Sequence, residues 1–236
     1  MEILSRALAK NVRNLELNTR VISVDPESKT ITALKEGMEA TYQYESGCLS
    51  TMPLPLLMRL CNNAPQELLK QVDELEFTKV ISIAISIKGE RPKNTGHWKY
   101  YTDPAIPFTR LIFMNEFDAQ AAPEDGWALL AEVTWPGKQA LPDENTLTAQ
   151  VLDAVRSVGL LNDESTVIGT HFWVLDPAYV VFTPKTQGII NNCFEYLAKY
   201  GITSSGRYGK WEYSSMYQNI KAGFDWAKKV TKKSIA

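Results

Sequence analysis

A series of segments with strand-type alternation most constrains the fold of this 236-residue chain. The first, residues 81–87, has isoleucine at every second position, so all four isoleucines share one face of a predicted strand. Similar segments follow at residues 97–101, 108–114, 127–135 and 167–175. Parallel strands need long crossover connections, and most neighbours in this series have no helical segment between them. The sequence therefore predicts an α+β fold with a mostly antiparallel sheet and packed helices.

Shorter periodic segments lie on both sides of this series. Residues 15–24, 30–34 and 40–44 alternate like strands and predict a small β-meander, which leads into an extended segment at residues 49–55 that contains Pro53 and Pro55. Apolar residues at helical intervals predict helices close to the N-terminus, after Pro65, and over the segments 147–158, 189–198 and 216–230.

Composition gives no indication of a nucleic-acid or membrane partner. Lys and Arg total 25 against 27 Asp and Glu, a formal net charge of −2, and no segment approaches the ~18 apolar residues of a membrane span. The cluster of Lys228, Lys229, Lys232 and Lys233 is typical of a solvated last helical turn. We therefore expect a protein with no nucleic acid and no membrane as partner.

Cysteine and histidine content argues against a disulfide framework or a metal site. Cys48, Cys61 and Cys193 are odd in number and far apart in sequence, which favours a reducing, cytoplasmic location. None of them has metal-ligand spacing. His97 and His171 lie in strand-type sequence, where a structural imidazole is the more common case. We expect no metal.

The segment of residues 206–218, Gly-Arg-Tyr-Gly-Lys-Trp-Glu-Tyr-Ser-Ser-Met-Tyr-Gln, is a glycine-containing turn that leads into a helix. Gly206 and Gly209 permit backbone conformations and close approaches that a Cβ atom would block. Ser215 and Gln218 have the spacing of a capping box. Such a junction presents backbone N–H groups to a ligand.

This segment resembles the C-terminal flavin-contacting motif of UDP-galactopyranose mutases and the related amine-oxidase-type FAD proteins. That motif is Gly-Arg-aromatic-Gly, then aromatic-x-Tyr, then a Met at the head of the last helix. Residues 17–24 followed by 49–55 resemble the second FAD segment of the family, and residues 106–110 resemble its substrate-side arginine strand. The resemblance implies FAD as cofactor of the complete protein and a sugar nucleotide as a candidate substrate.

The resemblance also implies which residues contact these ligands. It places Val21 at the adenine, and Thr51, Met52 and Pro53 near the ADP portion. The remaining implied cofactor contacts are Gly206, Arg207, Tyr208, Gly209, Met216 and Gln218. It places Arg110 against the substrate diphosphate, and it identifies no catalytic residue.

The residues themselves leave alternatives open for both arginines. Strand parity puts Arg110 beside Phe108, Ile112 and Met114, on an otherwise apolar face, where a guanidinium needs an anion or solvent. That anion is either a ligand or a carboxylate of Glu116 or Asp118. Arg207 equally fits a structural role, paired with Glu212 or with the last carbonyls of a helix.

One element of the family is missing. The chain contains no G-x-G-x-x-G, the fingerprint that places a dinucleotide pyrophosphate at a helix N-terminus. We therefore expect the C-terminal portion of a larger flavoprotein, truncated or split, whose partner is an N-terminal Rossmann-type half or subunit. The expected division is a partial FAD-binding domain (residues 1–60 and 202–236) and a substrate-binding domain (residues 61–201).

Two functions follow from this interpretation. The chain is either part of an FAD-dependent oxidoreductase or sugar-nucleotide mutase, inactive and without FAD when alone, or a non-catalytic remnant or partner subunit that binds a sugar nucleotide or another protein. Mutases commonly have an acidic residue directly after the motif methionine, where this chain has Tyr217. This departure favours an amine-oxidase-type relative over a mutase.

Overall fold

A computed structural model describes residues 2–122 and 124–233. The strands, in chain order, are β1 (Thr19–Asp25), β2 (Thr30–Lys35), β3 (Met38–Gln43), β4 (Cys48–Ser50), β5 (Glu76–Lys88), β6 (Trp98–Tyr100), β7 (Arg110–Phe113), β8 (Gly126–Pro136), β9 (Thr166–Val181) and β10 (Ile202–Ser204). The helices are α1 (Glu2–Ala9), α2 (Leu54–Leu60), α3 (Gln66–Val72), α4 (Glu144–Ser157), α5 (Thr186–Lys199), α6 (Gly206–Gly209) and α7 (Met216–Lys233). The α+β class is confirmed.

The chain divides into two compact units, and the division differs from the predicted one. A central unit comprises Glu76–Thr183, and a terminal unit comprises the chain up to Leu75 and from Pro184 onward. Residues 61–75 and 184–201 therefore lie in the terminal unit, because α3 packs on α5. The Asn192 side chain donates to Gln71 Oε1 at 2.8 Å, and α5 leads directly into β10. The roles predicted for the two domains stay predictions.

The central unit is built on a five-stranded antiparallel sheet with the order β6-β7-β8-β5-β9. The alternation predicted for β5 is confirmed, since all four of its alternating isoleucines are completely buried. They pack with Leu111, Phe113, Trp127 and Leu129 of the neighbouring strands and with Leu147, Val151 and Val155 of α4. α4 begins after Asp143, whose Oδ1 accepts from the Thr146 backbone N–H at 2.8 Å.

The terminal unit contains the predicted meander and a parallel strand pair. Strands β1, β2 and β3 form an antiparallel sheet, in which Asp25 caps the first turn and Glu36 and Gly37 form the second with positive φ. Strands β4 and β10 form a separate two-stranded parallel sheet. The pairing of β4 with β10 was not predicted, because both strands are only three residues long and lie far apart in the sequence.

The prediction that residues 49–55 stay extended is wrong beyond Pro53. Leu54 begins α2, and the Leu57 backbone N–H donates to Pro53 O at 3.0 Å. Pro55 lies in the first turn of this helix, where its missing N–H would have no intrahelical acceptor. Two prolines in close succession therefore mark a helix start here.

No helix in the described parts of the chain combines the length and the apolar character that crossing a lipid bilayer would require.

The buried isoleucines of β5 should determine the stability of the central unit. Ile83 is completely buried between Ala131 and Phe172 on the neighbouring strands. Because Ile83→Ala removes buried methyl groups and leaves a cavity, we expect it to lower the free energy of unfolding by about 2–5 kcal/mol.

Ile168→Ala is the matched control, because Ile168 lies on β9 of the same sheet with 52% of its surface exposed. We expect its effect to stay below about 1 kcal/mol. Urea unfolding followed by circular dichroism measures both variants. Equal losses in the two variants would contradict the assignment of the core to this sheet face.

Candidate functional site

The candidate site lies where the parallel strands β4 and β10 end side by side. Their register pairs Ser50 with Ser204, and the Ser205 backbone N–H donates to Ser50 O at 2.9 Å. The segments that follow β4 and β10 therefore leave the sheet at the same edge, where both strands have their carboxyl ends. In α/β folds this edge is the usual position of a ligand, since the loops that follow the strands surround a common crevice.

The segment that follows β10 forms a tight single turn, α6, over this edge. Gly206 begins it with φ of +81°, a conformation that favours glycine. Ser204 Oγ donates to Gly209 O at 2.8 Å and holds the end of the turn against the strand. A Cβ atom at Gly209 would lie 3.0 Å from that hydroxyl and 3.3 Å from Ser50 O. Gly206 thus permits the backbone conformation that begins the turn, and Gly209 permits the close contact with Ser204 and Ser50.

A cavity of about 320 Å³ opens beside this turn, which is within the usual range of small-ligand pockets, about 300–1,000 Å³. We call it the Gly206 cavity. It is lined by Leu49, Thr51, Ser205, Gly206, Arg207, Tyr208, Asn219 and Gly223. The structure therefore brings together four residues of the predicted cofactor site that come from two distant segments, namely Thr51, Gly206, Arg207 and Tyr208.

The other residues of the predicted cofactor site do not line the Gly206 cavity. Val21 lies in β1 of the meander, where it pairs with Ala33. Met52 and Pro53 follow Thr51 toward α2, and Gly209 is the buried last residue of α6. Met216 is the first residue of α7, with 46% of its surface exposed.

Gln218 lines a neighbouring, lysine-lined cavity of about 490 Å³. Carboxylates accompany the lysines of this second cavity. Lys221 Nζ lies 2.5 Å from Asp225 Oδ2, and Lys210 Nζ lies 3.9 Å from Glu212 Oε1. The hydrogen bond between Lys221 and Asp225 raises the pKa of the lysine and lowers that of the carboxyl group. Glu212, one of the partners considered for Arg207, thus forms its ion pair with Lys210.

The predicted capping box at the start of α7 is confirmed. The Ser215 backbone N–H donates to Gln218 Oε1 at 2.7 Å, and the Gln218 N–H donates to Ser215 Oγ at 3.4 Å. The expectation that this junction presents its N–H groups to a ligand is therefore wrong for these two residues. Their donors, and the amide oxygen of Gln218, are used inside the protein.

Arg207 lies between aromatic rings at the rim of the Gly206 cavity. Its Cζ atom is 5.4 Å from the Tyr213 ring centroid and 6.0 Å from that of Tyr208. Cation–π contacts of this kind stabilise a guanidinium without neutralising its charge. The motif aromatics thus position a cationic side chain next to the cavity.

Arg110, the predicted substrate residue, lies in the central unit and pairs with a carboxylate that the sequence analysis did not consider. Its Nε donates to Glu132 Oε2 at 2.6 Å, on the adjacent strand. Glu116, by contrast, lies 3.1 Å from Arg91. Burial lowers the pKa of Arg110, but the hydrogen bonds with Glu132 and Tyr100 outweigh it and raise the pKa above its ordinary value.

The predicted surroundings of Arg110 are only partly correct. Ile112 shares its face of β7, while Phe108 precedes the strand and is buried in the core cluster. Met114 begins a 3₁₀ turn after the strand. The parity rule failed at both ends because β7 is only four residues long.

The three cysteines lie in the terminal unit, where Cys61 and Cys193 are buried and Cys48 is partly buried. Burial raises the pKa of all three thiols, to about 11 for Cys61 and about 12 for Cys193. A raised pKa disfavours the thiolate, which is the form that acts as nucleophile and metal ligand. Within the described residues, no group of three or more His, Cys, Asp or Glu side chains is arranged to hold a metal ion.

Sequence reasoning missed three polar or small residues of the cavity wall, Ser205, Asn219 and Gly223. Ser205 directly precedes the predicted motif. Asn219 and Gly223 are four residues apart on α7 and therefore lie on one face of this helix. The spacing of a short polar residue and a glycine on one helix face is the sequence pattern that would have predicted this part of the cavity wall.

The close packing at Gly209 predicts a specific loss of stability. Gly209→Ala places a methyl group against Ser204 Oγ, which must keep its hydrogen bond, and against the backbone at Ser50. We expect the free energy of unfolding to fall by about 1–3 kcal/mol.

Gly188→Ala is the control, since a Cβ atom there meets no atom within 4 Å and Gly188 lies inside α5. It should leave stability unchanged or raise it by up to about 1 kcal/mol. Thermal or urea unfolding compares the two variants. A Gly209→Ala variant as stable as the wild type would show that the α6 turn is loosely packed.

Comparison with known proteins gives both family-level and structural matches. The sequence profile described as "Flavin containing amine oxidoreductase" matches residues 1–199. The crystal structure of reduced UDP-galactopyranose mutase is similar with a TM-score of 0.75 at 22% identity, over 82% of this chain and 41% of that one. The CLA-producing fatty acid isomerase from P. acnes is similar with a TM-score of 0.69 at 11% identity, over 97% of this chain and 51% of that one. The chain thus spans about half or less of the length of these solved structures.

Proposed function

This chain belongs to the flavin-containing amine oxidoreductase family, and we propose that its terminal unit forms part of an FAD site. The remainder of that site, which grips the pyrophosphate, lies in polypeptide outside these 236 residues. The complete assembly is an FAD-dependent oxidoreductase. The central unit contributes the substrate-facing sheet.

The observation that carries this proposal is the Gly206 cavity. Two segments that resemble separate FAD-contacting segments of the family, one at Thr51 and one at residues 206–208, line a single crevice. The crevice lies at the carboxyl edge of a parallel strand pair, where dinucleotide folds hold their ligand. Because two distant segments line the same cavity, they support an FAD site more strongly than either segment would alone.

The residues around this cavity fit contact with FAD. Gly206 and Gly223 leave room for a flat group to approach the backbone, since a Cβ atom on Gly223 would meet nothing within 4 Å. Arg207 supplies a positive charge at the rim, and Ser205 and Asn219 supply short hydrogen-bonding side chains. When bound, FAD would supply hydride-transfer chemistry, in which its flavin ring accepts two electrons and a proton from a substrate. The role of these residues is to position the cofactor and to favour negative charge next to Arg207.

Several surfaces of the terminal unit fit a covering polypeptide, which we propose to be a Rossmann-type segment. The β4–β10 sheet has only two strands, so each strand has an edge with no strand partner among the described residues. Ile3 of α1 is 83% exposed and Phe224 of α7 is 60% exposed. Further apolar side chains on the same helices are exposed, namely Leu4, Leu8 and Met216, and larger apolar patches on a surface mark protein–protein interaction sites. The G-x-G-x-x-G fingerprint, which this sequence does not contain, would be contributed by that segment.

Hydride-transfer oxidation fits the chain better than rearrangement of a sugar nucleotide. Arg110, the residue that would hold a substrate diphosphate, is already paired with Glu132. Tyr217 replaces the acidic residue that commonly follows the motif methionine in mutases. We therefore propose an oxidase-type or dehydrogenase-type reaction for the complete assembly.

Flavin binding tests the proposed division of the site. The chain alone should bind FAD weakly, because the cavity walls contact only part of the ligand and leave its phosphates in solvent. Addition of a dinucleotide-binding segment of the same family should produce a stable yellow complex, followed by flavin absorbance and fluorescence. Stoichiometric FAD retained by the chain alone would refute the division. A chain that binds neither FAD nor the segment would match the non-catalytic alternative.

Gly223→Leu should block the cavity in that complex. The side chain enters open space on the cavity face of α7, so we expect FAD affinity to fall by at least about tenfold with the fold intact. Gly188→Leu in α5 is the control, because it adds the same side chain to a helical glycine outside the cavity. Equal FAD affinity in both variants would remove the Gly206 cavity from the site.

Arg207→Ala in the same complex should lower flavin retention without unfolding the protein. It removes a cation from the cavity wall, and Arg207 is the one arginine among the described lining residues. Lys210→Ala, which removes a cation already close to Glu212, is the matched control and should retain flavin. Retention is measured as flavin absorbance after dialysis, and circular dichroism checks the fold. Unchanged retention in Arg207→Ala would show that Arg207 has a structural role.

A further inference from the structure

The central sheet has a face opposite its isoleucine core, and one row of residues crosses all five strands of that face. The register pairs Tyr100 with Arg110, Arg110 with Glu132, Glu132 with Ser82, and Ser82 with Trp173. The adjacent row on the same face is Trp98, Ile112, Leu130, Ala84 and His171. A single polar row with one ion pair therefore lies beside a row of mainly apolar and aromatic side chains.

The ion pair in this row engages most of the guanidinium. Arg110 Nε and Nη2 lie 2.6 Å and 2.5 Å from the same oxygen, Glu132 Oε2. The remaining nitrogen, Nη1, donates to the Tyr100 hydroxyl at 3.2 Å, and the Tyr100 ring centroid lies 5.6 Å from Cζ. All three nitrogens thus have partners within the row. Three of the five N–H donors of the guanidinium are thus engaged, and a ligand that approaches Arg110 meets a cation whose charge Glu132 compensates.

The pair is held by its position in the sheet. Arg110 and Glu132 are directly opposite on adjacent strands, and their side chains are only 23% and 16% exposed. On its other side Glu132 neighbours Ser82, which is 2% exposed. Along β8 its same-face neighbours are Leu130 and Thr134. In such partly desolvated surroundings an ion pair is screened much less than on an open surface.

We propose that Glu132 determines the ligand class of this sheet face, because it keeps the Arg110 guanidinium in an intramolecular pair and so closes the face to anionic ligands. The charges of Arg110 and Glu132 cancel, and the neighbouring row presents the apolar side chains of Trp98 and Leu130. A nucleoside diphosphate or another anion is therefore excluded, although an arginine is present.

Anions are excluded because the Glu132 carboxylate and a dissolved anion compete for the same cation, Arg110. Glu132 is tethered opposite Arg110, so its effective concentration at the guanidinium far exceeds that of a dissolved anion. An anion that bound beside the intact pair would place two negative charges against one positive charge in a partly desolvated site, which is unfavourable. Removal of the Glu132 charge should convert the same arginine into an anion site.

The test measures binding of inorganic pyrophosphate and of UDP to the chain by isothermal titration at 0.15 M salt. We expect Glu132→Gln to bind both at least about tenfold more tightly than the wild type, because the amide keeps the shape of the carboxylate without its charge. The double variant Arg110→Gln with Glu132→Gln should return to the wild-type affinity. The pair lies in the central unit, so the outcome is independent of flavin binding by the terminal unit.

Glu116→Gln is the matched control for a general change in net charge. It removes the partner of Arg91, another arginine of the central unit, at an ion pair of 3.1 Å. An equal gain of anion affinity in Glu116→Gln would overturn the proposal, and so would the absence of any gain in Glu132→Gln. Circular dichroism establishes that each variant is folded.

The wild-type protein provides a second measurement that needs no variant. The ¹⁵N resonance of Arg110 Nε should stay unchanged when pyrophosphate is added to millimolar concentration, because Glu132 retains the donor. A saturable shift of this resonance in the wild type would show that an anion reaches the guanidinium, and it would overturn the proposal even if Glu132→Gln does not fold.

Discussion

The parallel pairing of β4 with β10 is the interaction on which the candidate site depends. It joins two three-residue strands from opposite parts of the chain, and the Ser205 N–H extends it by one hydrogen bond to Ser50. Because the strands run in the same direction, the loops that follow them emerge together and form the walls of the Gly206 cavity. An antiparallel pairing would have separated Thr51 from the α6 turn.

Charge compensation distinguishes the arginines and lysines of this chain. Arg110 and Lys221 are each paired with a carboxylate, and the Arg207 guanidinium lies near the rings of Tyr208 and Tyr213. A neighbouring carboxylate compensates the charge of its cation, so a dissolved anion gains less from approaching Arg110 or Lys221. The family resemblance implies a substrate contact for Arg110 and a cofactor contact for Arg207, and the structure pairs Arg110 with Glu132.

Local patterns predicted most of the elements correctly. Alternation identified the strands of the central sheet, and helical spacing identified α3, α4, α5 and α7. The capping box at Ser215 and Gln218 was correct to the residue, because both hydrogen bonds close within one helical turn. α2 was missed because Pro53 and Pro55 were taken to leave the backbone extended, although the first turn of a helix tolerates proline.

The sequence by itself determined the α+β class, the buried face of β5 and the turn at Gly206, since each depends on the side chains of a few consecutive residues. Only the tertiary structure decided which strands pair, that Glu132 lies opposite Arg110, and that Thr51 reaches the same cavity as Tyr208. A period of two assigns a residue to one face of a sheet but does not specify the strand beside it. That neighbour depends on how the whole core packs, and the ion pair of Arg110 depends on that neighbour.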